Sequence, residues 1–109
     1  MPSTNCQIRA FRMQLHEGQA EEYRRRHNAL WPELHTLLKE AGIEDYSIHL
    51  DPETGALYGR LCCPQDFDDQ ALKHHPVMRR WWDFMADIME THEDNAPVVH
   101  PLESMFYMA

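Results

Sequence analysis

In the stretch YRRRHNALWPEL, residues 23–34, Tyr23, His27 and Trp31 recur at every fourth position. Side chains four apart share one face of a helix. An imidazole exchanges protons near neutral pH. Phenols meet hydroxyl groups by hydrogen bonding, and indole faces stack on C–H surfaces. Further along, DYSIHLD contributes Tyr46, and RWWDFMADIM contributes Trp81 and Trp82. Tyr46, Trp81 and Trp82 lie on other segments, and spacing alone does not join them to the stripe of Tyr23, His27 and Trp31. Each feature alone is also what ordinary packing produces. A Tyr–His pair at this spacing is common on helices, and paired tryptophans are common in cores. Neighbouring tryptophans lie about 100° apart on a helix, so at most one faces straight into the core and the other flanks it.

The surrounding pattern predicts the elements that hold these residues. In QIRAFRMQL, residues 7–15, Phe11, Met13 and Leu15 alternate as on a strand. Gly18 marks a turn, and residues 19–30 read as a helix. Pro32 disfavours helical backbone at Trp31 but suits the first turn of a new helix. The segment is thus a kinked helix pair with Trp31 at the corner, and Gly42 caps its second half. Residues 44–51 and 56–63 alternate as two strands of a hairpin around the turn Pro52–Gly55. Residues 65–74 suit a short helix, Pro76 begins a longer one through VMRRWWDFMADIM, and 92–101 is an extended loop. LESMFYM, residues 102–108, reads as the closing strand. The order β-α-β-β-α-β is the ferredoxin-like motif, an α+β fold with a four-stranded antiparallel sheet and helices on one face.

A chain of 109 residues suits a single domain, 1–109. With 43% hydrophobic and 26% charged residues, it has a globular composition. The net charge of −8 argues against nucleic acid and anionic membranes as partners. The basic run Arg24-Arg25-Arg26 lies near Glu17, Glu21 and Glu22 and reads as a solvated helix face. No apolar run approaches the ~20 residues of a membrane helix. The opening MPSTNCQIRAFRMQLH lacks the apolar core of a signal peptide, so a cytoplasmic protein is expected. Cys6, Cys62 and Cys63 form no C-x-x-C. Adjacent cysteines on a strand face opposite ways, so all three are expected reduced, as small packing residues. His74 and His75 diverge on a helix with no third ligand at helical spacing, so no metal is expected. His49 and Asp51 share a strand face and read as a surface pair.

The phrases EEYRRRHNALWPEL, DYSIHLD, RWWDFMADIM and DNAPV with the closing FYM resemble the L-rhamnose mutarotase family. The resemblance runs from about Ile8 to Met108, and Y-x-x-x-H-N followed by W-P-E-L and a Trp pair is a specific combination. It implies a ferredoxin-like homodimer that interconverts the α and β anomers of L-rhamnose without metal or cofactor. It implies a catalytic histidine at His27, sugar-contacting tyrosines at Tyr23 and Tyr46, and a tryptophan pair at Trp81 and Trp82. The chain departs from the family's usual look at His49, at the polar, small third strand with Gly59, Arg60 and Cys62-Cys63, and at the tip His16-Glu17-Gly18. These departures leave room for a close relative of L-rhamnose.

The chemistry of mutarotation suits such residues. A cyclic hemiacetal opens to an aldehyde when the ring oxygen gains a proton and the anomeric hydroxyl loses one. His27 is expected to give the ring-oxygen proton and Tyr23 to orient it; the base is left open among a tyrosine, a carboxylate and a water. Two other readings use the same scaffold: a cofactorless monooxygenase acting on an electron-rich aromatic, and a sugar-binding protein without catalysis. Oxygen uptake separates the first, and an unchanged anomer exchange rate the second. The strands also bear on assembly. Leu57 and Leu61 lie on one face of the third strand, with Tyr58 and Cys62 on the other. The closing strand likewise carries apolar side chains on both faces. Two helices cover only one sheet face, so a homodimer joined through the other is expected.

Overall fold

Pro32 has no backbone N–H, and its place at the start of a second helical piece shows how local chemistry sets the elements. The computed structural model describes residues 6–109. Residues 1–5, the start of the N-terminal stretch read above, lie outside them. The order is β1 (Cys6–Gln14), α1 (Ala20–Asn28), α2 (Pro32–Glu40), β2 (Glu44–Leu50), β3 (Ala56–Pro64), α3 (Asp69–His74), α4 (Pro76–Met85) and β4 (His100–Leu102). Trp31, with extended backbone, separates α1 from α2, and Pro32 fills the first helical position. Gly42 ends α2 at φ 88°. There the Ile43 N–H donates to the Leu38 carbonyl and the Gly42 N–H to that of Lys39, the pattern of a left-handed helix cap.

The strands form one antiparallel sheet in the order β2-β3-β1-β4. Strand alternation turns Phe11, Met13, Ile48, Leu50, Leu57 and Leu61 towards the helices. Met13, Leu15 and Leu57 pack there with Tyr23, Leu34, Met78, Trp81 and Met85. The opposite face carries Ile8, Arg12, Tyr58, Arg60 and Leu102, of which Ile8, Tyr58 and Leu102 are exposed.

Two element bounds differ from expectation. Helix α4 stops at Met85, because Ile88 and Met89 turn inward to meet the end of β1. The His16 N–H donates to Ile88, and Leu15 bridges Met89. Strand β4 is only His100–Leu102, paired with Ala10–Arg12, and residues 103–109 leave the sheet exposed. Pro101 lies within this short edge ladder and brings no N–H to it.

The cysteine reading is corrected. Cys6 and Cys62 are joined by a disulfide with Cα atoms 5.5 Å apart, while Cys63 is free and buried. The adjacent cysteines do face opposite ways. Cys62 therefore meets Cys6 across the β1–β3 ladder, while Cys63 packs with Ile43 and Leu61. His49 and Asp51 take separate partners: His49 meets the Ser47 hydroxyl, and Asp51 accepts from the Glu53 N–H. His75 caps α4, its Nδ1 accepting the Val77 N–H at 3.1 Å. No helix among the described residues is long and apolar enough to cross a membrane.

The bridge closes a long loop, yet the strands it joins are already paired along all of β1. Reduction with dithiothreitol is expected to leave the far-UV circular dichroism unchanged and to cost about 2–4 kcal/mol in chemical denaturation. Loss of the strand signal on reduction would show that the sheet depends on the bridge.

Candidate active site

Helix α1 supplies two of the expected residues from consecutive turns of one face. Tyr23 is buried, and the His27 ring stacks on it with centroids 4.2 Å apart. His27 Nδ1 lies 3.0 Å from the Tyr23 carbonyl oxygen. A carbonyl only accepts, so this nitrogen carries the hydrogen and donates it. In the neutral ring Nε2 is then an acceptor. Burial lowers the His27 pKa from its ordinary value, and the bond to the Tyr23 carbonyl opposes part of that shift.

The break at Trp31 gives this stripe its backing. Extended backbone there (φ −61°, ψ 130°) places the Trp31 ring 5.1 Å from Trp81 and 5.6 Å from Phe84. Trp81 in turn meets the His27 ring perpendicularly, with centroids 5.4 Å apart and an interplanar angle of 88°. Of the adjacent tryptophans, Trp81 is in the core and Trp82 is half-buried beside it, with the Arg79 guanidinium 5.4 Å from its ring. This is the division that helical geometry predicts.

Tyr46 lies on the same side of β2 as Ile48 and Leu50, as the alternation predicts, and a bulge precedes it. Between the pairs Glu44↔Cys62 and Ser47↔Arg60, both Asp45 and Tyr46 stand opposite Leu61. This β-bulge places Asp45 at φ 50°, a conformation that aspartate tolerates. Tyr46 meets Phe11 edge-on at 6.3 Å on the helix side of the sheet. Although 41% of its surface is open, it lies inside the concavity, and desolvation pushes its pKa up to about 12. Tyr23 is also raised, first by burial and then by the charge Tyr46 would carry. The two phenols therefore sense each other, and both stay protonated at neutral pH. Ring contacts join Tyr23, His27, Trp81 and Trp31, while Tyr46 meets Phe11 and Trp82 meets Arg79. His27, Tyr23, Tyr46, Trp81 and Trp82 all border one wide concavity that also reaches Ile8, Arg60 and Leu102 on the other sheet face.

One residue was misread in the sequence. Arg24 and Arg25 are exposed, but the Arg26 side chain is 9% exposed and is not part of a solvated face. It bonds Glu22 at 2.7 Å, Asp87 at 2.8 Å and the Phe84 carbonyl at 2.7 Å, with its guanidinium over the Phe84 ring. Arg25 and Arg26 together hold the Glu22 carboxyl down at about 2. Arg26 thereby ties α1 to the end of α4, the helices carrying His27 and Trp81. Glu22 four residues earlier was the available signal; Asp87 was not legible as a partner. Among the described residues, no group of three His, Cys, Asp or Glu side chains is set to hold a metal ion.

Comparison with known proteins identifies the family. A family model described as L-rhamnose mutarotase matches residues 9–108. The chain belongs to the L-rhamnose mutarotase family. An L-rhamnose mutarotase of Sinorhizobium fredii is 60% identical over 100 residues, 92% of this chain and 96% of the relative. One of Rhizobium meliloti is 58% identical over 99 residues, 91% and 95% of the two chains. The crystal structure of an L-rhamnose mutarotase from Formosa agariphila superimposes with a TM-score of 0.88 at 45% identity, covering 94% of this chain and 99% of that one.

A lowered folded pKa has a definite sign. Between the lowered value and the ordinary one near 6.5, the unfolded chain binds more protons at His27 than the folded one. This contribution to stability is complete above pH about 6.5 and is lost as pH falls through that window. NMR titration of the His27 ring is expected to give a midpoint below 6.5, with Nδ1 protonated throughout. A midpoint above 6.5 would mean that a charge partner, rather than burial, governs the ring.

Proposed function

We propose that this chain is an isomerase that interconverts the α and β anomers of L-rhamnose, with His27 as its proton-transfer group. The observation that carries the reading is a neutral imidazole with Nε2 available, held in one cleft with two protonated phenols and two indoles. His27 Nε2 starts as the acceptor and takes the proton of the anomeric hydroxyl. The phenols of Tyr23 and Tyr46 supply donor hydrogens for the ring oxygen and a neighbouring hydroxyl. As the C1–O5 bond breaks, one phenol passes its proton to O5, and the aldehyde turns. On closure the O5 hydroxyl attacks the other face of C1, its proton returns to the phenolate, and the imidazolium returns its proton to the carbonyl oxygen. This resting role reverses the donor role expected from the sequence, because the Tyr23 carbonyl holds the ring's one hydrogen at Nδ1. Trp81 and Trp82 serve as the apolar wall for the sugar's C–H surface. Hydrogen-bond donors of this kind favour a polyhydroxylated substrate over an electron-rich aromatic one.

The finer architecture belongs to the same reading: one ferredoxin-like domain over 1–109, working as a cytoplasmic homodimer. The strand order and the apolar helix side support the motif. In a reducing cytoplasm Cys6 and Cys62 would be thiols on strands already paired. Two features support the dimer. The sheet face bearing Ile8, Tyr58 and Leu102 is open, and Met105, Phe106 and Met108 in the tail are 87%, 82% and 79% exposed. Soluble monomers rarely keep such apolar surface. The concavity, about 2240 Å³, is bordered by this tail and exceeds the roughly 300–1,000 Å³ of a small-ligand site. A second copy laid on the open face, taking up both tails, would bury this surface about a twofold axis.

NMR saturation transfer between the anomeric protons of L-rhamnose is expected to grow with micromolar protein while the anomer ratio stays constant. His27→Ala should lose about 10²–10⁴-fold in rate with the fold intact. Activity should be flat above neutral pH and decline below the His27 midpoint. A His27→Ala protein with unaltered exchange removes the assignment. Light scattering should give twice the 12.9 kDa of one chain, and deletion of residues 103–109 should weaken association. A full-length mass of one chain at micromolar concentration sinks the dimer.

A further inference from the structure

A sugar such as L-rhamnose differs from its 6-hydroxylated counterpart only at one carbon, and the cleft contains a feature suited to reading that difference. Gly59 is paired directly with Phe11 across the β1–β3 ladder. A Cβ built on Gly59 would lie 2.4 Å from both Cε2 and Cζ of Phe11, and 3.0 Å from Cε1. The phenyl ring thus lies flat on the glycine backbone, in the space any other residue would fill. Gly59 has no positive φ that would demand a glycine, so the close approach of the ring is what the missing side chain permits. Folded down over β3, Phe11 reaches the bulge and meets Tyr46 edge-on at 6.3 Å. Phe11 is only partly buried, packs against the core cluster of Tyr23 and Trp81, and lines the same cleft.

We propose that Phe11, seated on Gly59, is the specificity-determining residue for the sugar's C6 position: its ring is the floor on which a 6-deoxy methyl group rests. This rests on the reading of the cleft as an L-rhamnose site. The chemistry requires such a neighbour. C6 is bonded to C5, which carries the ring oxygen, so the methyl lies two bonds from the atom that the phenols must reach. Beside the Tyr46 phenol, the sheet offers a hydrocarbon ring with no hydrogen-bonding atom. A methyl placed there leaves water for an apolar surface. A 6-hydroxyl placed there would lose its hydrogen bonds without replacement. Phe11 also fixes Tyr46 from the side, so the seat and the phenol keep one spacing.

Burial of one methyl group corresponds to about fourfold in affinity, so discrimination of at least about fourfold in kcat/KM is expected between L-rhamnose and L-mannose, which differ only by the 6-hydroxyl. The test measures anomer exchange of both sugars by saturation transfer in the wild type, in Gly59→Ala, which pushes the ring off its seat, and in Phe11→Leu, which removes the flat face. Circular dichroism checks each fold. The expected result is a rise in KM for L-rhamnose, with the L-rhamnose to L-mannose ratio falling towards one in both variants. A ratio that stays at the wild-type value in both folded variants overturns the seat while leaving the activity intact. Equal losses on both sugars, carried by kcat, also overturn it, since they point to a purely structural role. A wild type that exchanges neither sugar removes the L-rhamnose reading and the seat with it.

Discussion

The perpendicular contact between the Trp81 indole and the His27 ring is the one on which the rest of the site depends. It requires α1 and α4 to meet at a set distance, and the molecule enforces that distance twice. On one side, the chain breaks at Trp31 so that a second indole can pack behind the first. On the other, Arg26 ties the adjacent turn of α1 to Asp87 and the Phe84 carbonyl at the end of α4. A single exposed ion pair is worth little, but this guanidinium is shared among two carboxylates, a carbonyl and an aromatic ring. It acts as a positional constraint more than as a store of stability. The proline that separates the two helical pieces therefore helps to set where the Trp31 ring packs behind Trp81.

Burial determines the protonation of the site. The imidazole is lowered and both phenols are raised, chiefly by the same cause, removal from water. The result is a group of three neutral side chains rather than a charged one. A hemiacetal carries no charge, so neutral donors and acceptors can bind it without desolvating an ion. The one hydrogen on the imidazole is held at Nδ1 by its own helix. In the neutral ring, Nε2 is thereby left to accept.

The sheet performs two tasks on its two faces. Towards the helices it supplies the core and the Tyr46 phenol, which meets Phe11 edge-on. The other face holds the Cys6–Cys62 bridge together with exposed apolar side chains. The same alternation that sends Cys63 into the core sends Cys62 towards Cys6. The exposed C-terminal segment continues from the β4 edge beside that face, so the surface left uncovered and the segment left unpacked lie on neighbouring parts of the sheet.

Much of this was legible in the residues because it depends on short-range rules. Strand alternation, the proline at a helix start, the glycine cap at Gly42 and the stripe Tyr23–His27–Trp31 are local, and each is found within a few residues of its expected place. The grouping of Tyr46, Trp81 and Trp82 with that stripe came from resemblance to a family; of these, Trp81 meets His27 and Trp31 directly. What the sequence did not disclose were relations between distant segments. The β1–β3 register brings Cys6 to Cys62 and lays Phe11 on Gly59. A bulge interrupts β2 at Asp45, and Asp87 lies 61 residues from the arginine it holds. The expected closing strand LESMFYM failed for a related reason, since an alternating apolar pattern states a preference for burial but not which surface supplies it. Periodicity is a property of a segment, whereas register, ring contacts and ion pairs are properties of two segments, and only the folded chain determines which two meet.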